Sequence, residues 1–174
     1  MKFVWYFSVN NILFGIIFKR LSPQNGVGIE LFDSFEEMNE FMIDRHNAVV
    51  RPNDKVYFGG DVAMNPNFVN LVARMNGHKR LIIGNHDKLT RNSPLVRVFD
   101  KIMMWWPFEE FIFSHVPLRE DQMTMRTGNK FNVHGHIHQN DSPTKNHINV
   151  SVEKINFTPI SLEQLRENKK ALVP

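Results

Sequence analysis

A strand–helix–strand pattern in the first half of the chain is the feature that most constrains the fold. Lys55–Phe58 predicts a short strand that ends at two glycines, and Arg80–Ile83 predicts the next strand. Between them, Asn65-Pro66 supplies a helix N-cap and a proline at the first helical position, and Gly77 ends the helix. Two strands joined in this way form a βαβ unit, so we expect them to be parallel neighbours in one sheet.

Polar residues follow both predicted strands. Asp61 comes directly after Gly59-Gly60, and Asn85-His86-Asp87 comes directly after Gly84. In open α/β sheets, ligands gather at the carboxyl ends of parallel strands. Asp61 alone would be interpreted as a turn or cap residue. Together, the two segments predict one shared site.

The rest of the chain predicts a single domain, residues 1–174, of the α/β class with layered sheets and helices outside. We interpret Phe3–Ser8 as a buried first strand; the signal-peptide and membrane-helix alternatives fit less well, because no small-x-small cleavage site follows and the apolar run is too short to span a bilayer. Ser34-x-x-Glu37 opens an amphipathic helix, and Ser161-x-x-Gln164 caps a helix near the C-terminus. Further strands are predicted at Lys101–Trp106, Glu110–Ser114, Phe131–His134 and His147–Val152.

Composition restricts the kind of metal site. The chain has no cysteine, so a metal must be bound by His, Asp, Glu or Asn, and disulfides are excluded. The absence of cysteine fits a cytoplasmic protein. The net charge of +3 permits an anionic substrate but does not by itself indicate nucleic-acid binding. No membrane association is expected.

Five other histidines are candidates for different roles. His134, His136 and His138 alternate, so in an extended segment all three rings face one side. Such a row suits metal ligation better than core packing, and we expect two of the three to ligate and one to pack or hydrogen-bond. His115 follows another strand-like run, whereas His46 is expected at the surface or behind the site.

The ordered set of these segments resembles the calcineurin-like metallophosphoesterase family, especially its small single-domain bacterial and phage members. The segments are Gly60-Asp61, Gly84-Asn85-His86-Asp87, His115 and Gly135-His136-Ile137-His138. The similarity extends from about Phe35 to the C-terminus and includes Asn149–Glu153 and Thr158–Ser161. All four motifs in order are highly specific, although any one alone is not.

The resemblance implies a two-sheet α/β/β/α sandwich with a two-metal centre and hydrolysis of a phosphomonoester or phosphodiester. Nucleotides and nucleic acids are among the partners left open, and so is the oligomeric state. Position by position, the resemblance implies that Asp61 bridges two metals and that His138 binds one of them. It assigns the other metal to Asn85, His115 and His136. It also implies that His86 acts near the phosphate as general acid or charge stabiliser, with its ring held by Asp87. Nitrogen and oxygen ligands without sulfur suit Mn, Fe, Zn or Ni.

The N-terminal segment departs from the family, whose Asp-x-His motif provides two further metal ligands. Val9 and Asn11 occupy the matching positions, and no Asp, Glu or His occurs before Glu30. We therefore predict one well-occupied metal, with a weak second site. Three explanations stay open: a weakened one-metal phosphoesterase, a catalytically inactive metal-stabilised binding or regulatory relative, and an altered reading frame or start, which the abrupt break favours as an origin.

Overall fold

The structure, a computed structural model, describes residues 3–6, 35–62, 68–126 and 128–172. It is a mixed α/β fold with two main sheets and several helices. Within these residues no helix has the length and apolarity needed to cross a membrane.

The first sheet contains the predicted βαβ unit. Its five strands are β1 (Phe3–Tyr6), β2 (Lys55–Phe58), β3 (His78–Ile82), β4 (Lys101–Met103) and β11 (Ile160–Ser161). They lie in the order β11-β1-β2-β3-β4. β2 and β3 are parallel neighbours, which confirms the prediction, and Phe58 pairs with Leu81. Among these described strands, β11 alone runs antiparallel to its neighbour.

The second sheet is built from the later half of the chain. Its strands are β5 (Trp105–Phe108), β6 (Phe111–Ser114), β9 (Phe131–His134) and β10 (His147–Asn149). They lie in the order β10-β9-β6-β5, with β6, β9 and β10 parallel and β5 antiparallel. A short 3-10 helix (Glu120–Gln122) and the hairpin β7 (Thr124–Met125) and β8 (Gly128–Asn129) lie between β6 and β9 along the chain.

The described residues form four α-helices beside the sheets: α1 (Phe35–Val49), α2 (Val69–Val72), α3 (Leu95–Val98) and α4 (Leu162–Leu172). The predicted cap of α4 is present, because Ser161 N–H donates to Gln164 Oε1 (2.7 Å) and Gln164 N–H donates to Ser161 Oγ (3.2 Å). The predicted start of α2 at Asn65-Pro66 lies outside the described residues. After Val72 the next three backbone N–H groups each bond to the carbonyl three residues earlier, as in a 3-10 helix. The α-helix therefore ends well before Gly77.

The hydrophobic core has two parts, one on each face of the first sheet. Val56, Phe58 and Leu81 pack with residues of α1, α2 and α3. Tyr57 and Ile82 point the other way and pack with Phe111, Phe113 and Val133 of the second sheet, together with Leu165 of α4. Strands buried on both faces have near-continuous apolar sequences, as β2 does.

The predicted strand Lys101–Trp106 is in fact two strands in different sheets. β4 ends at Met103, Met104 is 77% exposed, and β5 begins at Trp105 in the second sheet. The Trp106 ring stacks on Tyr57 with centroids 4.5 Å apart, in the core between the sheets. Packing of this partly buried ring between the sheets favours the crossing at Met104.

His46 lies in the core, so its expected surface position is wrong. Its side chain is fully buried, its Nε2–H donates to the Asn76 carbonyl at 2.9 Å, and its ring stacks against Phe58. Burial is the main cause that lowers the pKa of His46 to about 4. The ring is therefore neutral in the folded protein at neutral pH.

We expect His46 to make folding sensitive to mild acid. The unfolded chain takes up a proton near the ordinary pKa of 6.5, whereas the folded chain resists it until about pH 4. The stabilising contribution is complete above pH 6.5 and is lost as the pH falls towards 4, by ~3 kcal/mol in total. Urea denaturation from pH 7.5 to 4 should show a shallower decline for His46→Gln than for the wild type. His78→Gln, which replaces an exposed histidine, is the control, and parallel declines for wild type and His46→Gln would contradict the account.

Candidate metal centre

Four polar side chains meet where strands of both sheets end. Asp61 and Asn85 follow β2 and β3 of the first sheet, and His115 and His136 follow β6 and β9 of the second. Asp61 and His115 are buried, whereas His136 is exposed. The cluster therefore has buried side chains on one side and access from solvent on the other.

One ring nitrogen lies at the centre of this cluster. His115 Nε2 is 2.9 Å from Asn85 Oδ1, 3.1 Å from His136 Nδ1 and 3.2 Å from Asp61 Oδ2. The other nitrogen of the same ring, Nδ1, is 2.7 Å from the Gly59 carbonyl, which can only accept a hydrogen bond. In the neutral ring the proton is therefore on Nδ1, and Nε2 directs a lone pair towards the cluster.

The donor atoms fit a divalent cation. The ligand atoms of Asp61, His115 and His136 all lie within 4.8 Å of one another, so this group could hold a metal ion. Asn85 adds an amide oxygen beside His115. Carboxylate oxygen, amide oxygen and imidazole nitrogen together are ligands for first-row transition metals.

The electrostatics of Asp61 and His115 are coupled. Burial acts to raise the pKa of Asp61, but His115 in its protonated form and the hydrogen bond from the His86 backbone N–H together lower it. Burial likewise acts to lower the pKa of His115, but Asp61 raises it overall. The carboxylate is thus held in its ionised form, as metal ligation requires.

The pKa of His136 is shifted in the opposite direction to that of His115. Burial, and next the neighbouring charge of His115, lower the pKa of the His136 ring. A lowered pKa favours the neutral imidazole, which is the form that binds metals.

Close contact between two glycines brings together the turns that carry Asp61 and Asn85. A Cβ at Gly84 would lie 2.2 Å from Asp61 Oδ1, and one at Gly60 would lie 2.6 Å from Gly84 N, where φ of Gly60 is +100°. Because neither glycine has a side chain, the turns approach closely enough for the His86 N–H to donate to Asp61 Oδ1 at 2.8 Å. Asp61 Oδ2 remains directed towards His115. Glycine is required here for close approach of the two turns.

Asp87 has a different role from the one expected. Its Oδ2 accepts hydrogen bonds from the backbone N–H groups of Asp61 (2.9 Å) and Gly84 (2.8 Å), and its Oδ1 accepts one from Val62 (2.8 Å). The carboxylate thus joins the two turns and does not hold the ring of His86. Burial raises the pKa of Asp87, although these three bonds oppose the shift.

The histidine row is not extended. β9 ends at His134, and His136 and His138 have φ of +65° and +54° in the loop that follows. His134 is fully buried, with Nε2 3.1 Å from Ser142 Oγ, and burial lowers its pKa to about 4. His134 is therefore the member of the row that packs.

Asp61 also has positive φ, at +53°, and such left-handed non-glycine residues concentrate at functional sites.

His138 lies outside the tight group and faces Glu153, whose Oε1 is 3.1 Å from His138 Nδ1. The hydrogen bond to Glu153 is the main cause that raises the pKa of His138. From the sequence, Glu153 was assigned no role of its own and was named only as part of the Asn149–Glu153 segment. Val9 and Asn11, on which the weak second site depends, lie outside the described residues.

We expect Gly84→Ala to disrupt the centre. The added methyl would overlap Asp61, which should cost ~1–3 kcal/mol of folding free energy and displace the carboxylate. Urea denaturation and the Mn²⁺-induced shift in melting temperature measure the two effects. Gly128→Ala is the control for the Mn²⁺ response, because its methyl meets nothing within 4 Å, although its positive φ gives it a stability cost of its own. A Gly84→Ala protein with wild-type stability and Mn²⁺ response would contradict this account.

Comparison with known proteins gives a relative and a structural neighbour. No family model matches the chain. Its fold is similar to the crystal structure of the protein of unknown function AQ665 from Aquifex aeolicus, with a TM-score of 0.71 and 21% sequence identity over 95% of this chain and 98% of that one. The uncharacterized protein MJ1445 of Methanocaldococcus jannaschii is 33% identical in an alignment of 143 residues that covers 76% of this chain and 75% of that protein. The chain therefore belongs to the same family as MJ1445.

Proposed function

We propose that the protein is a metal-dependent phosphoesterase of the calcineurin-like type, which hydrolyses a phosphomonoester or phosphodiester. The observation that supports this best is the convergence of Asp61, Asn85 and His136 on Nε2 of His115. His86 follows Asn85 directly, which puts an imidazole beside the centre. The proposal includes the α/β/β/α sandwich that is typical of the family.

The residues present fit a divalent cation, and Asp61, Asn85, His115 and His136 would hold it. Mn, Fe, Zn and Ni all suit these ligands. Bound there, the ion would polarise a phosphoryl oxygen and lower the pKa of water. His138 is assigned to a second, weaker site, so one well-occupied metal is proposed. We also propose that the protein acts in the cytoplasm.

Local contacts give Asp61 and His86 separate roles. The His86 N–H fixes one oxygen of Asp61, which leaves the other directed at the cluster. The half-buried ring of His86 is free to act on substrate as the general acid that protonates the leaving oxygen. Asp87 holds the turn on which both residues depend.

A second candidate is a catalytically inactive binding or regulatory protein that a metal stabilises. One observation favours it: the chain has no Asp, Glu or His before Glu30, and Val9 and Asn11 stand where the family has two ligands. Such a protein would keep the cluster around His115 for stability alone. It would have no use for His86.

Hydrolysis of an aryl phosphodiester with added Mn²⁺ tests the proposal. We expect turnover by the wild type, and a loss of ~100-fold or more for His86→Ala, because a positioned general acid contributes that much. Asp61→Ala should lose both activity and Mn²⁺ binding. His78→Ala, which changes an exposed histidine on β3, should behave as the wild type.

The outcomes separate the two candidates. If the wild type binds Mn²⁺ and melts at a lower temperature after chelation, but shows no turnover on phosphomonoesters or phosphodiesters, the inactive candidate is correct. Rates that Asp61→Ala and His86→Ala leave unchanged would show that the activity belongs to another site.

A further inference from the structure

The segment Asn149–Glu153 lies against the loop that contains His138. The Asn149 side-chain amide donates to the carbonyl oxygens of His138 (2.7 Å) and Asn140 (3.0 Å). The same amide therefore holds the backbone of this loop at two points.

Asn149 is itself fixed by its neighbours. Its Oδ1 accepts hydrogen bonds from the backbone N–H of Ser151 at 2.9 Å and from the Ser151 hydroxyl at 2.7 Å. The Val150 N–H donates to the His134 carbonyl at 2.8 Å, at the end of β9. The segment is thus joined to both the start and the middle of the histidine loop.

Glu153 reaches the His138 ring. Its Oε1 lies 3.1 Å from His138 Nδ1, and its Oε2 is buried without a hydrogen-bond partner among the described residues. An ionised carboxylate can only accept, so Nδ1 must donate. With the proton on Nδ1, the lone pair of a neutral ring is on Nε2, the nitrogen that points away from Glu153.

The geometry does not make Glu153 a ligand of the principal metal. Among the described residues, the group whose ligand atoms lie within 4.8 Å of one another comprises Asp61, His115 and His136, without Glu153 or His138. Glu153 also occupies the side of the His138 ring opposite to Nε2.

We propose that Glu153 is a positioning residue, which fixes the tautomer and orientation of His138 so that Nε2 is presented to a metal. The importance of Glu153 for metal binding rests on the proposed phosphoesterase centre. Its effect on the His138 tautomer is independent of that centre. Carboxylate partners of metal-binding histidines typically change metal affinity by ~10–100-fold when removed.

Two readouts test this, and only one of them involves a metal. Long-range ¹H–¹⁵N NMR spectra of the metal-free protein at pH 8 report the His138 tautomer. We expect the Nδ1–H form in the wild type and in Glu153→Gln, which keeps an acceptor oxygen, and a shift towards Nε2–H in Glu153→Ala. A Mn²⁺ titration followed by electron paramagnetic resonance should show a ~10–100-fold weaker second binding step for Glu153→Ala. Lys154→Ala, the adjacent exposed residue, should match the wild type in both.

Each outcome bears on one statement. If the wild-type ring is Nε2–H, or if Glu153→Ala leaves the tautomer unchanged, the positioning role is wrong. If His138→Ala weakens Mn²⁺ binding but Glu153→Ala does not, the role in metal binding is wrong although the centre exists. If neither Asp61→Ala nor His138→Ala alters the Mn²⁺ titration, the proposed metal centre itself fails, and the tautomer measurement still decides the role of Glu153.

Discussion

The candidate centre depends on the buried carboxylate of Asp87. This one side chain accepts three backbone N–H groups, from Asp61, Val62 and Gly84, and so ties the end of β2 to the end of β3. The glycine at position 84 lets the turns touch, and Asp61 then receives the His86 N–H. Desolvation of Asp87 is costly, and its hydrogen bonds offset the cost only while both turns keep this arrangement.

The sequence predicted most of what the strands determine. The βαβ pattern placed β2 beside β3, and residues just past strand ends proved to meet: Asp61 and Asn85 from one sheet, His115 and His136 from the other. This succeeded because the chain direction of parallel strands fixes which ends share an edge. The prediction of an extended segment from His134 to His138 was wrong at His136. The positive φ of His136 depends on its surroundings and not on local propensity.

Contacts between distant segments were beyond sequence reasoning. The break at Met104 depends on the stacking of Trp106 on Tyr57, and the burial of His46 depends on the Asn76 carbonyl. Nor did any spacing rule indicate that Glu153 would meet His138. In each case the partner lies far along the chain or in another sheet, so no local pattern encodes it.

Anomalous diffraction from crystals grown with Mn²⁺ tests the central claim most directly. We predict one strong peak within bonding distance of Asp61, Asn85 Oδ1, His115 Nε2 and His136 Nδ1, and at most a weak second peak beside His138. No peak at this cluster would contradict the metal centre. Two peaks of equal height there would contradict the prediction of one well-occupied metal.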